Sequence, residues 1–241
     1  MEFVLPFFFA MILLGTFLLV FRIQTNRYPW QWLRDKRRGV LAWHFLPVDG
    51  RLGNDDGREV KEGETLEFCK RFTGDKPELC ATGMHASKDI FDAMPYALGP
   101  ILTRVIVKGS LEFSSDKLVG ESRKCLKLYR DLDMVFLRWA YQVTLDCTGD
   151  KDDQVLQLLG EALDKDTGKL RRRELLEVAR EKIGPVVINQ TYYLTELLRN
   201  TGSKDNAYCW RGLFANIHDI CTDKHKTLLR KMLKEAGVQD L

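Results

Sequence analysis

The feature that most constrains this chain is a run of 19 residues without a charged side chain near its N-terminus, from Phe3 to Phe21. A helix over this run would be about 28 Å long, since each residue adds about 1.5 Å, and the hydrocarbon core of a bilayer is about 30 Å thick. Pro6 falls in the first turn of such a helix, where its missing N–H costs no hydrogen bond. The run therefore predicts a transmembrane helix over residues 1–21, with residues 3–21 in the lipid bilayer.

The residues that follow this run are basic and aromatic. Between Arg22 and Arg38 there are six basic residues and one acidic residue, interleaved with one tyrosine and two tryptophans. Aromatic rings at headgroup depth followed by positive charge are typical of the cytoplasmic side of a membrane anchor, where basic residues contact anionic lipid headgroups. We therefore expect residues 22–38 to form a juxtamembrane linker, with the N-terminus outside and the body of the protein in the cytoplasm.

A cleavable signal peptide is the alternative interpretation of this N-terminus. Such a peptide has a basic n-region, a shorter apolar core and a site of small residues at its end. Here Glu2 makes the n-region acidic, the apolar run is long, and no small-residue site precedes Arg22. These features favour an uncleaved signal-anchor.

The rest of the chain is nearly neutral. From residue 40 to the C-terminus there are 31 basic and 32 acidic residues, so the net charge of +3 for all 241 residues comes from the basic segment. A general nucleic-acid binder normally shows a basic face, so no nucleic-acid partner is expected. The chain also has no nucleophile elbow and no glycine-rich phosphate loop.

The cysteines are scattered and include no Cys-x-x-Cys pair. The six positions are Cys69, Cys80, Cys125, Cys147, Cys209 and Cys221. A disulfide framework is typical of much smaller secreted domains, so reduced thiols are expected. Cys80, His85 and His44 are candidate metal ligands, but structural zinc sites use four ligands, usually in close pairs, so no metal site is predicted.

The sequence pattern divides the body into two parts and predicts an α+β fold. Residues 39–128 form a small, mixed or antiparallel β-rich domain, with strands predicted in VLAWHFLP, GETLEFCKRF, PELCATGMHAS, PILTRVIVKGSLEF and DKLVGESRKCLKL. A hairpin tip is predicted in DGRLGNDDGREV, and a short helix in KDIFDAMPYA with Ser87 as its N-cap. Residues 129–241 show apolar residues at helical spacing and form a helical array, in which Thr222 is the N-cap of the last helix.

Several short motifs between Leu41 and Glu121 occur in a distinctive order. They are AWHFL, RLGNDDGREV, GETL, ELC-x-x-G-x-HAS, DAM-x-YA, GPIL-x-RV and DKLV-x-E. This order resembles an uncharacterised domain family that is common in bacteriophages and prophages. Some of its members similarly carry a helical array with a terminus like KTLLRKMLKEA. The resemblance implies a phage or prophage source and supplies no activity.

A second set of residues loosely resembles ADP-ribosyltransferase-like domains. It comprises His44 on an early strand, His85 after a glycine, Tyr96 after a short helix, and a late glutamate, either Glu112 or Glu121. The resemblance implies that NAD is a substrate, that a histidine grips its ribose, and that an aromatic ring stacks on the nicotinamide. The glutamate, for which we select Glu121, would stabilise the positive charge that builds as the leaving group departs. The alternative is that these side chains are structural.

Two functions are therefore predicted, one for binding and one for catalysis. The first is a membrane-anchored accessory protein that binds an unknown protein partner and needs no cofactor. The second is an ADP-ribosyltransferase-like enzyme with His44, His85, Tyr96 and Glu121 as catalytic residues and NAD as its cofactor. Aromatic side chains of the helical array suit either the core or a partner-binding face. They are Trp139, Tyr141, Tyr192, Tyr193, Tyr208, Trp210 and Phe214.

Overall fold

Strands and helices of the computed structural model follow the change of pattern along the sequence. The structure describes residues 4–25, 28–53, 56–68, 77–79, 83–148, 153–183, 189–239 and 241. Within these residues there are nine α-helices and seven β-strands, arranged as two antiparallel sheets. The predicted α+β class of the body is confirmed.

The predicted transmembrane helix is wrong. Helix α1 (Val4–Thr25) forms over the apolar run, and α2 (Pro29–Arg38) covers the basic segment. A span requires about 20 predominantly apolar residues to cross the hydrocarbon core, and no helix in the described part of the chain combines that length with enough apolar character. The predicted single-pass, signal-anchored topology fails for the same reason, and with it the placement of the N-terminus outside and the body in the cytoplasm.

The first sheet contains the longest strands. The strands of the fold are β1 (Val40–Leu46), β2 (Thr65–Glu67), β3 (Met84–Ala86), β4 (Ile101–Lys108), β5 (Glu112–Phe113), β6 (Leu118–Gly120) and β7 (Ser122–Tyr129). The first sheet has the order β1-β4-β7-β2 and the second the order β3-β6-β5. Central strand β4 is rich in β-branched residues, which favour extended backbone.

The two sheets meet at one bridge between β1 and the end of β3. The backbone N–H of Trp43 donates to the carbonyl oxygen of Ser87 at 2.7 Å, and the N–H of Ser87 donates back to Trp43 at 3.0 Å. The backbone of Ser87 is extended in this bridge and the following helix begins only at Ile90. The prediction of Ser87 as its N-cap is therefore wrong. Helix α3 (Ile90–Ala93) is capped by Asp89, whose carboxylate accepts from the N–H of Phe91 at 2.9 Å.

All six helices expected in the C-terminal half are present. They are α4 (Asp133–Thr148), α5 (Gln154–Leu163), α6 (Lys169–Ile183), α7 (Gln190–Arg199), α8 (Ala207–Ile220) and α9 (Asp223–Glu235). Thr222 is the N-cap of α9, as predicted, and its hydroxyl accepts from the N–H of His225. An N-cap hydroxyl satisfies one of the N–H groups that the first turn leaves without an intrahelical partner.

One face of the first sheet packs on the helices. The ring of Phe45 on β1 lies 5.5 Å from the ring of Phe136 on α4 and 5.4 Å from that of Phe214 on α8. Trp139 of α4 is buried, and its indole N–H donates to the carbonyl oxygen of His225 at 2.8 Å. The strand-rich and helical parts therefore share one hydrophobic core.

The other face of β1 is directed to the layer between the two sheets. Val40 and Ala42 pack there with Ala86 of β3 and with Val105 and Val107 of β4. Successive side chains of a strand point to opposite faces. His44 therefore shares this layer with Ala42.

Gly39 joins α2 to β1 with a backbone conformation that favours glycine. Its φ is +79°, and a Cβ at this position would lie 2.9 Å from the carbonyl oxygen of Val107. Gly63 has nearly the same φ, +81°, but a Cβ there would meet nothing within 4 Å. A side chain at either position would be strained by the left-handed backbone conformation. Only at Gly39 would its Cβ also collide with backbone atoms.

We expect Gly39→Ala to lower the free energy of unfolding by about 1–3 kcal/mol more than Gly63→Ala does, because overpacking adds to the conformational cost. Urea unfolding of the two variants measures the difference. Equal losses in the two variants would contradict the close approach of Gly39 to β4.

Candidate functional site

The candidate site is built around Arg123, a buried cation on β7. Its side chain is only 5% exposed, and one guanidinium nitrogen, Nη1, donates to the carbonyl oxygen of His85 at 2.6 Å. Within the described ranges, no carboxylate lies within ion-pairing distance, 4.0 Å, of this guanidinium. Burial lowers the pKa of Arg123 to about 10, so the side chain remains positively charged near neutral pH.

Asp56 is the carboxylate that acts on Arg123 from a greater distance. Its negative charge raises the pKa of Arg123, while the positive charge of Arg58 lowers it. Asp56 is itself held by Arg58, whose Nε and Nη2 donate to it at 2.6 and 2.7 Å. Among the described residues, Asp56 is therefore ion-paired with Arg58 rather than with Arg123.

His44 is the second member of the site. Its Nδ1 is completely buried and has no hydrogen-bond partner in the described part of the chain. Its backbone carbonyl oxygen accepts from the hydroxyl of Thr103 at 2.8 Å, across the β1–β4 pairing. Burial lowers the pKa of His44 well below its ordinary value, and the positive charge of Arg123 lowers it further.

His85 contributes its carbonyl group rather than its ring. Met84 and Ala86 pack toward the first sheet, so the His85 side chain lies on the opposite face of β3. Its Nδ1 is 3.1 Å from the carbonyl oxygen of Gly83, and its Nε2 is buried without a partner among the described residues. Burial lowers the pKa of His85, and the resulting neutral ring donates from Nδ1 to Gly83.

Tyr96 lies beside Asp116 and Lys117. The Tyr96 hydroxyl donates to the carboxylate of Asp116, and the ammonium group of Lys117 is 4.4 Å from the ring centroid. Lys117 also lowers the pKa of His85. Tyr96 is 44% exposed, so it does not pack in the core.

Glu121 lies apart from the other residues of the enzyme hypothesis. It is exposed and follows β6, where its side chain is the neighbour that a Cβ on Gly109 would meet. No contact in the described structure joins Glu121 to His44, His85 or Tyr96. Glu112, the other candidate glutamate, accepts instead from the backbone N–H of Leu79 at 3.3 Å.

The metal and cysteine predictions fall partly on residues that are not described. Cys69 and Cys80 lie outside the described residues, and with Cys80 so does one of the three candidate metal ligands. The other four cysteines are free thiols. Within the described ranges, no group of three histidine, cysteine, aspartate or glutamate side chains could hold a metal ion.

Most aromatic residues of the helical half are used in the core. Trp139, Tyr193, Trp210 and Phe214 are buried. Tyr141 and Tyr192 are half-buried and pack against the core. Tyr208 is 64% exposed, and its ring lies edge-on to Tyr193 at 6.0 Å. The protein partner expected for this face stays a prediction.

Sequence reasoning missed Arg123, the residue on which the site depends. The alternation of SRKCLKLY places Arg123 on the same strand face as Cys125, one residue apart from the exposed Lys124. This shared face with a buried residue is the signal in the sequence that could identify Arg123 as buried. The signal is weak because neighbouring residues of the strand are also basic.

Comparison with known proteins adds no assignment. No family model, no curated protein and no solved structure matches this chain. The geometry alone therefore defines the class, an α+β protein with a buried cationic site beside the layer between its two sheets. The resemblance to a phage and prophage family remains a prediction.

The lowered pKa of His44 makes stability depend on pH. Unfolded histidine has a pKa of about 6.5, so below that pH the unfolded chain binds a proton that the folded chain excludes. The free energy of unfolding should therefore fall as the pH decreases from about 6.5, by at most about 1.4 kcal/mol per pH unit for this residue.

We expect His44→Gln to remove the contribution of His44 to the pH dependence of the free energy of unfolding. Urea unfolding between pH 7.5 and 5.5 measures this dependence. His218→Gln is the matched control, because that side chain is exposed at the surface of α8. An unchanged slope in His44→Gln would contradict the burial of an uncharged His44.

Proposed function

We propose that this protein binds a small acidic molecule at the site formed by Arg123 and His44. The observation that carries the proposal is the guanidinium of Arg123, which is buried and whose partner in the described structure is a single carbonyl group. A buried charge without a counter-charge costs several kcal/mol. A carboxylate or phosphate group would offset that cost, because its hydrogen bonds with a guanidinium are charge-assisted and can be bidentate.

His44 gives the site a second polar contact. A neutral imidazole carries a proton on one ring nitrogen, and the proton can be on either nitrogen. With the proton on Nδ1, the atom that lacks a partner in the described structure, His44 would donate to a second oxygen of the acidic group. The ligand therefore has an oxyanion with at least two accessible oxygen atoms.

The burial of Arg123 also supports a small molecule as the ligand. A folded protein partner presents its acidic side chains on a surface, and a guanidinium that is 5% exposed offers little area to such a surface. Binding is favoured over the ADP-ribosyltransferase hypothesis because Glu121 has no described contact with His44 or His85. NAD carries phosphate groups, however, and therefore belongs among the probes.

The test is thermal unfolding of the full chain with inorganic phosphate, succinate or NAD, at constant ionic strength. A ligand at 100 times its Kd stabilises the folded state by about 2.7 kcal/mol. We expect at least one of these anions to raise the Tm, and Arg123→Met to abolish the shift. Lys124→Gln is the matched control, because it removes one positive charge from an exposed position on the same strand.

A shift that persists in Arg123→Met, or the absence of a shift with all three probes, would overturn the proposal. A shift seen with NAD alone and lost in His85→Ala, with Arg123→Met unaffected, would support the ADP-ribosyltransferase hypothesis instead.

A further inference from the structure

A second site lies where the first sheet meets the helical half of the chain. A cleft of about 170 Å³ is lined there by residues around the start of β4, the turn from β7 to α4, and the segment from α7 to α8. Sites for drug-sized molecules measure about 300–1,000 Å³. The cleft therefore fits a molecule of few heavy atoms. None of its lining residues belongs to the Arg123 site.

The floor of the cleft has one free hydrogen-bond donor. Trp210 is only 3% exposed, and its indole N–H donates to no residue in the described part of the chain. This nitrogen is also not one of the completely buried polar atoms that lack a partner. Trp210 lines the cleft, and its indole nitrogen therefore keeps some accessible surface although the residue as a whole is covered.

The floor also has one oriented acceptor beside apolar side chains. Asn206 is 6% exposed, and its side-chain N–H donates to the carbonyl oxygen of Asn200 at 2.7 Å. This bond fixes the orientation of the amide and leaves its Oδ1 available as an acceptor. Leu197 and Ile101 are buried next to it and provide an apolar surface.

The rim of the cleft carries charges of both signs. Arg130 and Asp131 are exposed, Asp133 is half-buried, and all three line the cleft. No ion pair within 4.0 Å joins any of them to another described residue, so both signs of charge are available to a ligand. Asp131 has a φ of +58°, the one positive value at a non-glycine position among the described residues.

We propose that this cleft binds a free aliphatic α-amino acid. Its carboxylate would accept from Arg130 and from the indole N–H of Trp210, and its ammonium group would donate to Asp131, to Asp133 and to Oδ1 of Asn206. The apolar side chain would lie against Leu197 and Ile101. An aliphatic α-amino acid joins a carboxylate, an ammonium group and an apolar side chain in a molecule of few heavy atoms.

The experiment is isothermal titration calorimetry of the full chain with L-leucine, 3-methylbutylamine and 4-methylpentanoate. The amine lacks the carboxylate of leucine and the acid lacks its ammonium group. We expect L-leucine to bind and each analogue to bind at least about tenfold more weakly, because each loses hydrogen bonds to a charged group. Equal affinity for leucine and either analogue, or no heat of binding with leucine at millimolar concentration, would overturn the proposal.

Two variants assign the binding to the cleft. Trp210→Phe keeps an aromatic ring but removes the N–H, and Asp131→Asn keeps the shape but removes the charge. Each should weaken leucine binding about tenfold or more, with the Tm measured alongside to show that the variant is folded. Asp166→Asn, at an exposed turn position between α5 and α6, is the control and should bind leucine as the unmodified chain does. Unchanged leucine affinity in folded Trp210→Phe would overturn the assignment.

Discussion

Replacing Phe136 by alanine is expected to lower the free energy of unfolding by about 3–5 kcal/mol. Phe136 is completely buried, and its ring lies 5.5 Å from that of Phe45 and 5.3 Å from that of Phe214. The three rings come from the first sheet and two helices, so their contacts hold the strand-rich and helical parts together. The cost combines lost apolar burial with the cavity that the smaller side chain leaves.

Chemical unfolding followed by both circular dichroism and tryptophan fluorescence measures this loss. Leu170→Ala is the matched control, because Leu170 is on an exposed face of α6 and its truncation should change stability by no more than about 0.5 kcal/mol. If the two parts folded separately, the two probes would report different transitions, and Phe136→Ala would affect only one of them. That result would contradict a shared core.

Replacing Arg123 by methionine is expected to stabilise the ligand-free protein by about 1–3 kcal/mol while it abolishes ligand binding. Replacing buried charged groups with apolar residues of similar volume is often stabilising by about 1–4 kcal/mol, since the desolvation cost disappears. Losing the hydrogen bond from Arg123 to the carbonyl group of His85 offsets part of that gain. A gain in stability accompanied by a loss of binding is expected of a residue retained for function.

Urea unfolding without ligand, beside the binding assay, tests this expectation. Lys124→Gln should change neither stability nor binding appreciably, because Lys124 is exposed on β7. A loss of more than about 1 kcal/mol in Arg123→Met would instead assign Arg123 a structural role, in which its bond to His85 holds β3 against β7.

The elements that the sequence predicts well are those with a strong local signal. The six C-terminal helices follow apolar spacing, and Thr222 has the side chain that an N-cap requires. The strand over Val40–Leu46 follows from its apolar and aromatic residues. The N-cap of α3 is Asp89 rather than Ser87, because a tertiary contact to Trp43 keeps the backbone of Ser87 extended and the helix begins at Ile90. Local capping preference does not contain this information.

The candidate site is harder to predict because its members are distant in the sequence. His44 and His85 were selected for their chemistry, and the structure couples His44 electrostatically to both His85 and Arg123. Arg123 gave no distinctive signal, since its burial depends on how the second sheet covers β7. The N-terminal run shows the opposite error, since a strong compositional signal predicted a membrane span that the described helices do not provide.

The site proposed here holds an acidic group between Arg123 and His44. Nuclear magnetic resonance of the full chain with ¹⁵N-labelled arginine and histidine tests it most directly, in a titration with whichever of the three anions raises the Tm. We expect the ¹⁵N chemical shifts of the Arg123 Nε and of the His44 ring nitrogens to change together and to saturate at one ligand equivalent. Arg171, which is paired with Glu161 on the surface, should not shift. Saturable binding with unchanged Arg123 and His44 signals would contradict binding of the acidic group at this site.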